Sequence, residues 1–193
     1  MFLGEHDYFD KRWIYEECLQ MPFLARLPGV IPAGAVNDAQ LCSNLDFAQT
    51  FLDFAQASDA PEINKMQGTS LRTILAGKTP QQWRDAIYYR YWMHLAHHNI
   101  PGHYGIRNDR YKLVFFYGLP LDASLGRGDF PPSIAGWELY DLKLDPQETN
   151  NVYEKPEYAS LVRLLKNRLQ ELKQQYGDQD ETYPDLMRLR KEL

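Results

Sequence analysis

Charged side chains alternate with aromatic ones near the start of the chain, in the segment LGEHDYFDKRW. Lys11 stands between Asp10 and Arg12, and His6 precedes it by five positions. Positive charge held between apolar groups suits the binding of an anion, because a lowered local dielectric strengthens each contact. The alternative interpretation is a solvated lysine whose stem lies over the neighbouring aromatic rings.

A second group of residues that could do chemistry is the histidine-rich segment HLAHHNIPGHYGIR, which contains His94, His97, His98 and His103. Zinc is one interpretation of such a cluster. It is disfavoured because no cysteine or carboxylate completes a ligand set and the Pro101-Gly102 turn interrupts any helical face. The other interpretation is of surface and hairpin histidines. Arg107, on the same hairpin, is expected to stabilise it by pairing with nearby acids.

Two further motifs each allow a functional and a structural interpretation. Glu16 and Glu17 are adjacent carboxylates that could act as a general acid and base, but such residues usually cap helices or pair with cations. The segment YYRYW could stack on a sugar ring. Its alternation favours a half-buried strand instead.

Length and composition predict a globular chain that can bury a core. The chain has 193 residues, 44% of them hydrophobic, which suits one large domain or two small ones. The formal net charge of −5 argues against nucleic acid or an anionic membrane as the main partner. No apolar run approaches the roughly 20 residues of a membrane span. Cys18 and Cys42 lack the spacing of a disulfide framework or a metal site.

The first part of the chain is predicted to contain one strand and two helices. Residues 22–27 form a short apolar run before a Pro-Gly pair, which predicts a buried strand followed by a turn. Apolar residues recur at helical spacing over residues 45–55, and Pro61 is expected to stop that helix. A shorter helix is predicted over residues 71–75.

The second part has the pattern of an antiparallel sheet with one helix. Residues 86–92 are rich in strand formers, and HYGIRNDRYKLVFFY predicts a hairpin around Asn108-Asp109. Residues 137–142 alternate as a third strand. A leucine stripe predicts a helix over residues 156–176, begun by proline. The charged tail after it is expected to be loosely held. Together these elements predict an α/β chain of two unlike parts, residues 1–84 and 85–193.

Several of these motifs, in the same order, resemble those of type I sulfatases. LGEHDYFDKRWIYEECLQMPFL is similar to the family pattern L-G-E-H-G-x-x-x-K-x-x-x-Y-E-E-S-x-R-M-P-L. The likeness continues in MQGTSLRTIL, HYGIRNDRYKLVFFY and WELYDLKLDPQETNNVY, whose counterparts mark the carboxyl-terminal subdomain of bacterial sulfatases acting on sulfated sugars. The resemblance implies that residues 1–84 end an alkaline-phosphatase-like α/β catalytic domain and that residues 85–193 form that subdomain.

The resemblance also implies roles for four residues in binding a sulfated carbohydrate. Lys11 matches the lysine that contacts the sulfate group. His98 and His103 fall on the two histidine positions of a loop that borders the substrate pocket, so they are candidate sugar or sulfate contacts. His6 matches the histidine of G-E-H, near the metal loop, where a structural role is expected.

Other features of the family have no match in this chain. Type I sulfatases use a formylglycine, made in C/S-x-P-S/A-R, and a divalent cation, usually calcium. The cation ligands are expected just before Met1 and the nucleophile further upstream, so the chain alone is predicted to be inactive. A non-catalytic binding module and a phosphoesterase relative of the same superfamily remain alternatives. A periplasmic or secreted location fits the complete protein, but the sequence assigns none.

Three departures from the family pattern bear on the substrate and on association. Asp7 replaces the glycine that usually follows G-E-H, and Gly102 stands where an arginine is common. Residues 120–133 form a Gly/Pro-rich insertion, and insertions at a pocket rim alter specificity. In the first part, the neighbours of the predicted strand are missing, which predicts self-association through an exposed sheet edge.

Overall fold

A computed structural model describes residues 1–57, 65–121 and 130–193, which divide into two compact units. The sheet unit comprises residues 1–21 and 88–193, and the helical unit comprises residues 22–87. The boundary near residue 88 lies close to the division expected at 84/85, but the first 21 residues belong with the sheet. They do so because Phe2, Trp13 and Ile14 are buried in one core with sheet residues such as Val114.

The described residues contain six β-strands and five α-helices. In the described residues the strands are β1 (Phe2–Leu3), β2 (Phe9–Asp10), β3 (Ala86–Tyr91), β4 (His103–Asn108), β5 (Tyr111–Phe116) and β6 (Gly136–Asp141). The α-helices are α1 (Glu16–Leu19), α2 (Asp46–Phe54), α3 (Arg72–Leu75), α4 (Ala159–Gln175) and α5 (Pro184–Glu192). Within the part of the chain that the structure describes, no helix has both the length and the apolar character needed to cross a bilayer.

The main sheet has four strands in the order β3-β4-β5-β6. Strands β4 and β5 pair antiparallel, with His103 opposite Phe116, and β5 pairs antiparallel with β6. The predicted hairpin is confirmed. The Asn108 side chain closes its turn, since Oδ1 accepts the backbone N–H of Arg110 at 2.9 Å and of Tyr111 at 2.6 Å. An asparagine that hydrogen-bonds its own backbone favours such a turn.

The leucine stripe of the predicted carboxyl-terminal helix is also confirmed. A 3-10 turn, Pro156–Tyr158, leads into α4, and Leu165, Leu169 and Leu172 are buried on one face of the helix. Gly177 follows with φ +71°. Glycine adopts this left-handed conformation without steric cost, which is why it commonly ends a helix.

The prediction of a loosely held tail is wrong. Helix α5 lies in this segment, and Asp180 just before it is 1% exposed. The Asp180 carboxylate accepts hydrogen bonds from Lys173 at 2.7 Å and Arg190 at 2.9 Å. The tail is held in place because the buried Asp180 carboxylate neutralises the charge of basic side chains, among them the buried Lys173 of α4.

The helical unit is held by one buried carboxylate. The fully buried Asp46, at the start of α2, accepts the backbone N–H groups of Ser43 at 2.8 Å and Thr69 at 2.9 Å and binds the Arg84 guanidinium. It thereby joins α2 to the segment before α3. Both predicted helices are confirmed, but Pro61, the expected stop for the first, lies outside the described residues.

The strand predicted over residues 22–27 is wrong. These residues have no regular secondary structure and are exposed. A strand exists only when a neighbouring strand accepts its hydrogen bonds, and no described residue pairs with this run. The predicted sheet edge of this part is therefore absent from the described residues, and self-association stays a prediction.

Candidate functional site

The loop that carries Lys11 has an unusual backbone. It comprises residues 4–12, which are the connection between β1 and β2, strand β2 itself and the two residues after it. Strands β1 and β2 pair through Phe2 and Asp10, and the buried Phe2 side chain anchors the start of this loop in the core. His6, Asp7 and Asp10 adopt φ values of 53°, 60° and 108°. Left-handed conformations are uncommon for residues other than glycine, although aspartate tolerates them. Asp7 thus adopts a left-handed backbone conformation, which the glycine of the family pattern would adopt without steric cost.

The turn after β3 has the same character. Leu95, His98 and Asn99 adopt φ values of 53°, 50° and 55°. The turn is closed by a hydrogen bond from the Leu95 N–H to the Ile100 carbonyl, at 2.8 Å. Of the eight non-glycine residues with positive φ in the described ranges, six lie in these two loops. Such strain concentrates at functional sites, which makes the two loops candidates for one.

The two loops meet at a carboxylate. Asp10 Oδ2 lies 3.9 Å from His98 Nε2 and also accepts a hydrogen bond from the Arg12 guanidinium. The Tyr89 hydroxyl of β3 donates to the Arg12 carbonyl at 2.8 Å and so fixes the loop to the sheet. Lys11 is exposed and makes no ion pair with any described residue. We call Asp10, Lys11, Arg12 and His98 the loop face.

His98 and His103, which the sequence treats alike, have different environments. The His98 side chain is 61% exposed on the loop face, whereas His103 is fully buried. The His103 ring lies 5.1 Å from Phe116, 5.5 Å from Tyr91 and 5.8 Å from Tyr89. His103 therefore lies beneath the residues that support the loop face.

Burial determines the protonation of His103. Desolvation lowers the pKa of the imidazole to about 4, although Nδ1, 2.7 Å from the Pro101 carbonyl oxygen, partly offsets the shift. The ring is neutral at pH 7, so Nδ1 donates to that carbonyl and Nε2 is left as an acceptor. In the described ranges Nε2 has no hydrogen-bond partner. A buried acceptor without a partner is costly.

His103 is expected to make the protein sensitive to acid. The unfolded chain binds a proton below pH 6.5 but the folded protein only below about pH 4, so stability is full above 6.5 and is lost as the pH falls towards 4. The loss amounts to about 3 kcal/mol. Urea unfolding from pH 4 to pH 7 should show a smaller loss in His103→Phe than in the native protein. The exposed His98→Gln should keep the native slope, and equal slopes in all three proteins would contradict the assignment.

His6 lies apart from the loop face. Its ring stacks on Tyr15, with centroids 5.0 Å apart and an interplanar angle of 7°, and its Nε2 lies 3.8 Å from Glu17 Oε1. These contacts hold the start of the loop against the core. They support the structural role expected for His6, which stays a prediction.

The remaining candidates have structural partners. Glu16 pairs with Arg107 at 3.1 Å and with Lys112 at 2.9 Å, so the interpretation of Glu16 as a cation partner and the expected pairing of Arg107 are both confirmed. His94 accepts the Gly102 N–H at Nδ1 and its Nε2 lies 2.9 Å from the Pro131 carbonyl oxygen. Among the described residues, no three His, Cys, Asp or Glu side chains are grouped so that they could hold a metal ion.

Sequence reasoning missed the parts played by Asp10, Arg12 and Tyr89. The two charges were visible beside Lys11, but their pairing with each other and the approach of Asp10 to His98 were not. Tyr89 lies 77 residues from Arg12 along the chain. The only signal for its role was the tyrosine-rich strand pattern, which predicts a strand and no particular contact.

Comparison with known proteins identifies the class. The chain is 44% identical over 181 residues, 93% of its length, to an N-acetylglucosamine-6-O-sulfatase of Bacteroides thetaiotaomicron, and it covers 29% of that protein. A solved structure of a protein in complex with its substrate, D-glucosamine-2-N,6-O-disulfate, has 43% identity and a TM-score of 0.75, with 95% of this chain and 33% of that one covered. The chain thus spans about a third of the length of these relatives. The phosphonate monoester hydrolase of Silicibacter pomeroyi has 20% identity and a TM-score of 0.56. The match covers 81% of this chain and 29% of the hydrolase, and it shows a shared fold alone.

Fold and relatives together define a sulfatase region of the alkaline-phosphatase-like class, as the sequence predicts. More particularly, the model of the family N-sulphoglucosamine sulphohydrolase, C-terminal, matches residues 4–175. The chain belongs to this family.

Proposed function

We propose that this chain contributes the loop face to the substrate pocket of an enzyme that hydrolyses a sulfate ester on a glucosamine-type sugar. The observation that carries the proposal is an exposed Lys11, which has no ion-pair partner among the described residues, beside the Asp10–Arg12 pair and His98. The names of the relatives support the sugar: one is an N-acetylglucosamine-6-O-sulfatase, and the other is bound to a disulfated glucosamine.

Each residue of the loop face suits one part of such a substrate. The Lys11 ammonium supplies a fixed positive charge to the sulfuryl oxygens and to the leaving oxygen while the S–O bond breaks. Asp10 can accept and Arg12 can donate hydrogen bonds, a combination that fits neighbouring sugar hydroxyls. His98 is exposed and can contact the sugar or the sulfate. His103 would act from below the loop face, through Nε2, for which the described part of the chain supplies no hydrogen-bond partner.

Calcium and formylglycine enter the proposal only as groups of the complete enzyme, and residues other than the 193 of this chain would hold the cation and provide the formylglycine. The described residues do not assemble a ligand set for a divalent cation, and the proposed roles of this chain's own residues are to bind and position the substrate. The formylglycine would supply the nucleophile in the complete enzyme. We propose accordingly that the chain by itself releases no sulfate.

The role of Lys11 can be measured in a hybrid enzyme in which this chain replaces the matching carboxyl-terminal third of the Bacteroides relative. Lys11→Ala should lower kcat/KM for glucosamine 6-sulfate by about 10²–10³, the usual cost of losing one charge-stabilising group. Lys143→Ala, at an exposed lysine in the same unit, is the matched control and should leave kcat/KM unchanged. Equal losses in the two variants would refute the assignment of Lys11.

The same assay separates the remaining alternatives. A phosphonate monoester belongs in the substrate panel, because the Silicibacter enzyme shares the fold. Preferential hydrolysis of that compound would replace the sulfatase proposal. Binding of glucosamine 6-sulfate with no turnover by the hybrid would favour the non-catalytic module.

A further inference from the structure

Helix α4 carries an excess of positive charge in a chain that is acidic overall. It contains four basic side chains and one acidic one, whereas the whole chain has a formal net charge of −5. Two of the basic side chains, Arg168 and Lys173, pair with acids. The other two, Arg163 and Lys166, make no ion pair with any described residue. They lie three positions apart, so they are neighbours on one side of the helix.

The half-buried Lys166 is positioned by two aromatic side chains. Its Nζ lies 4.1 Å from the ring centroid of Trp137 and donates a hydrogen bond to the Tyr153 hydroxyl at 2.7 Å. The Trp137 and Tyr153 rings are stacked, with centroids 6.0 Å apart and an interplanar angle of 10°. An ammonium group has three N–H donors. The Tyr153 hydroxyl takes one of them, so the fixed charge of Lys166 keeps donors for a ligand.

A second cation, from helix α5, lies close to Lys166. The Arg190 guanidinium donates to Gln170 Oε1 at 3.3 Å, and Gln170 lies one helical turn after Lys166. Burial, and then the charge of Arg190, lower the pKa of Lys166. Two like charges repel each other, and an anion bound beside them relieves that repulsion. We call Arg163, Lys166 and Arg190 the basic face.

We propose that the basic face is a second binding site, sharing no residue with the loop face, for a sulfated polysaccharide that contains glucosamine. Sulfate groups recur along such a chain, and ammonium and guanidinium groups bind oxyanions strongly. The Gln170 amide and the Tyr153 hydroxyl can hydrogen-bond sugar hydroxyls. The choice of a sulfated sugar rests on the proposed function. Arg190 lies beyond residues 4–175, which the family model matches, so the site is not part of the region that defines the family.

Binding can be measured in the full 193-residue chain carrying Lys11→Ala, which removes an unpaired cation of the loop face. The probe is a heparin octasaccharide, in which uronic acids alternate with sulfated glucosamines, titrated in a calorimeter at low ionic strength. We expect binding that weakens as salt is added, because the contacts join opposite charges. Lys166→Ala and Arg163→Ala should each weaken the affinity about five- to tenfold, the loss of one charge contact. The same octasaccharide without its sulfates should bind about tenfold more weakly or less.

The matched control is Lys143→Ala, which removes an exposed lysine of the same unit outside the basic face and should leave the affinity unchanged. Lys166→Ala also loses aromatic contacts, whereas the exposed Arg163→Ala should unfold in urea as its parent does. No binding, equal losses at Lys143 and at the basic face, or equal affinity for the desulfated octasaccharide would overturn the proposal. Tighter binding of a DNA duplex of equal charge would overturn the assignment to a carbohydrate.

The outcome for the basic face is independent of the outcome for the loop face. Octasaccharide binding as expected, together with a hybrid enzyme that releases no sulfate from glucosamine 6-sulfate, would refute the proposed function and leave the basic face intact. Turnover by the hybrid without octasaccharide binding would overturn the basic face alone.

Discussion

Asp180→Ala is expected to lower the free energy of unfolding by about 3–5 kcal/mol, as the loss of one partner from a buried ion pair generally does. The Asp180 carboxylate accepts hydrogen bonds from Lys173 at 2.7 Å, Arg190 at 2.9 Å, Tyr104 at 3.0 Å and Arg90 at 3.1 Å. Its loss leaves three cationic groups with one fewer counter-charge in a buried setting. Urea unfolding at pH 7 measures the change.

Asp185→Ala is the matched control for that experiment. Asp185 pairs with Arg188 at 2.9 Å, but both side chains are more than 70% exposed. Exposed pairs contribute about 0–1 kcal/mol, so this variant should unfold almost as the native protein does. Similar losses in the two variants would show that the Asp180 contacts add nothing beyond those of a surface pair.

Lys112→Met is expected to have the second large effect, again about 3–5 kcal/mol. The Lys112 side chain is fully buried, with Nζ 2.9 Å from Glu16 Oε1 and 2.7 Å from Glu148 Oε1. Burial raises the pKa of Glu148, against the opposing effect of the Lys112 charge. Methionine fills a similar volume but leaves two carboxylates without their shared cation. The free energy of unfolding in urea should fall accordingly.

A double-mutant cycle separates this ion pair from simple packing. Glu148→Gln removes one of the two carboxylates, so Lys112→Met should cost less in that background than in the native chain. Lys143→Met at an exposed site controls for the substitution itself and should change stability by less than about 0.5 kcal/mol. If the two single losses simply add up in the double variant, Lys112 and Glu148 are not coupled.

Elements with strong local signals were predictable from the sequence. The hairpin at Asn108 forms because one side chain closes the turn by itself. The helix after Pro156 begins and ends where proline and Gly177 dictate, and its leucine spacing fixes the buried face. In each case the determining residues lie within a few positions of one another.

Elements that depend on distant partners were not predictable. Residues 22–27 have the composition of a buried strand but no strand beside them among the described residues. The tail has the composition of a solvated segment, yet Asp180 is buried. Besides the nearby Lys173 and Arg190, it is bound by Arg90 and Tyr104, which lie 90 and 76 residues away along the chain. Composition records hydrophobicity and charge, but it does not record which charges will be compensated after folding.

The candidate site likewise has a part that local sequence signals predicted and a part that depends on distant residues. Lys11 was found because a motif surrounds it, whereas the approach of Asp10 to His98 brings together residues far apart in the chain. The sequence did not indicate that His103 is buried. Polar and apolar residues do not alternate regularly along its strand, so the His103 side chain could have lain on either face of the sheet. Its environment is set by aromatic rings from several elements, including Tyr91 and Phe116.

The buried Asp180 also has a consequence for the biosynthesis of the protein. Arg90, in the first strand of the main sheet, leaves the ribosome 90 residues before this counter-ion. At a translation rate of about 5–20 residues per second, roughly 5–18 s pass between the two. During that interval the strand cannot bury its guanidinium without a large penalty. The ion pairs of Arg90 are therefore complete only after Asp180 has been made.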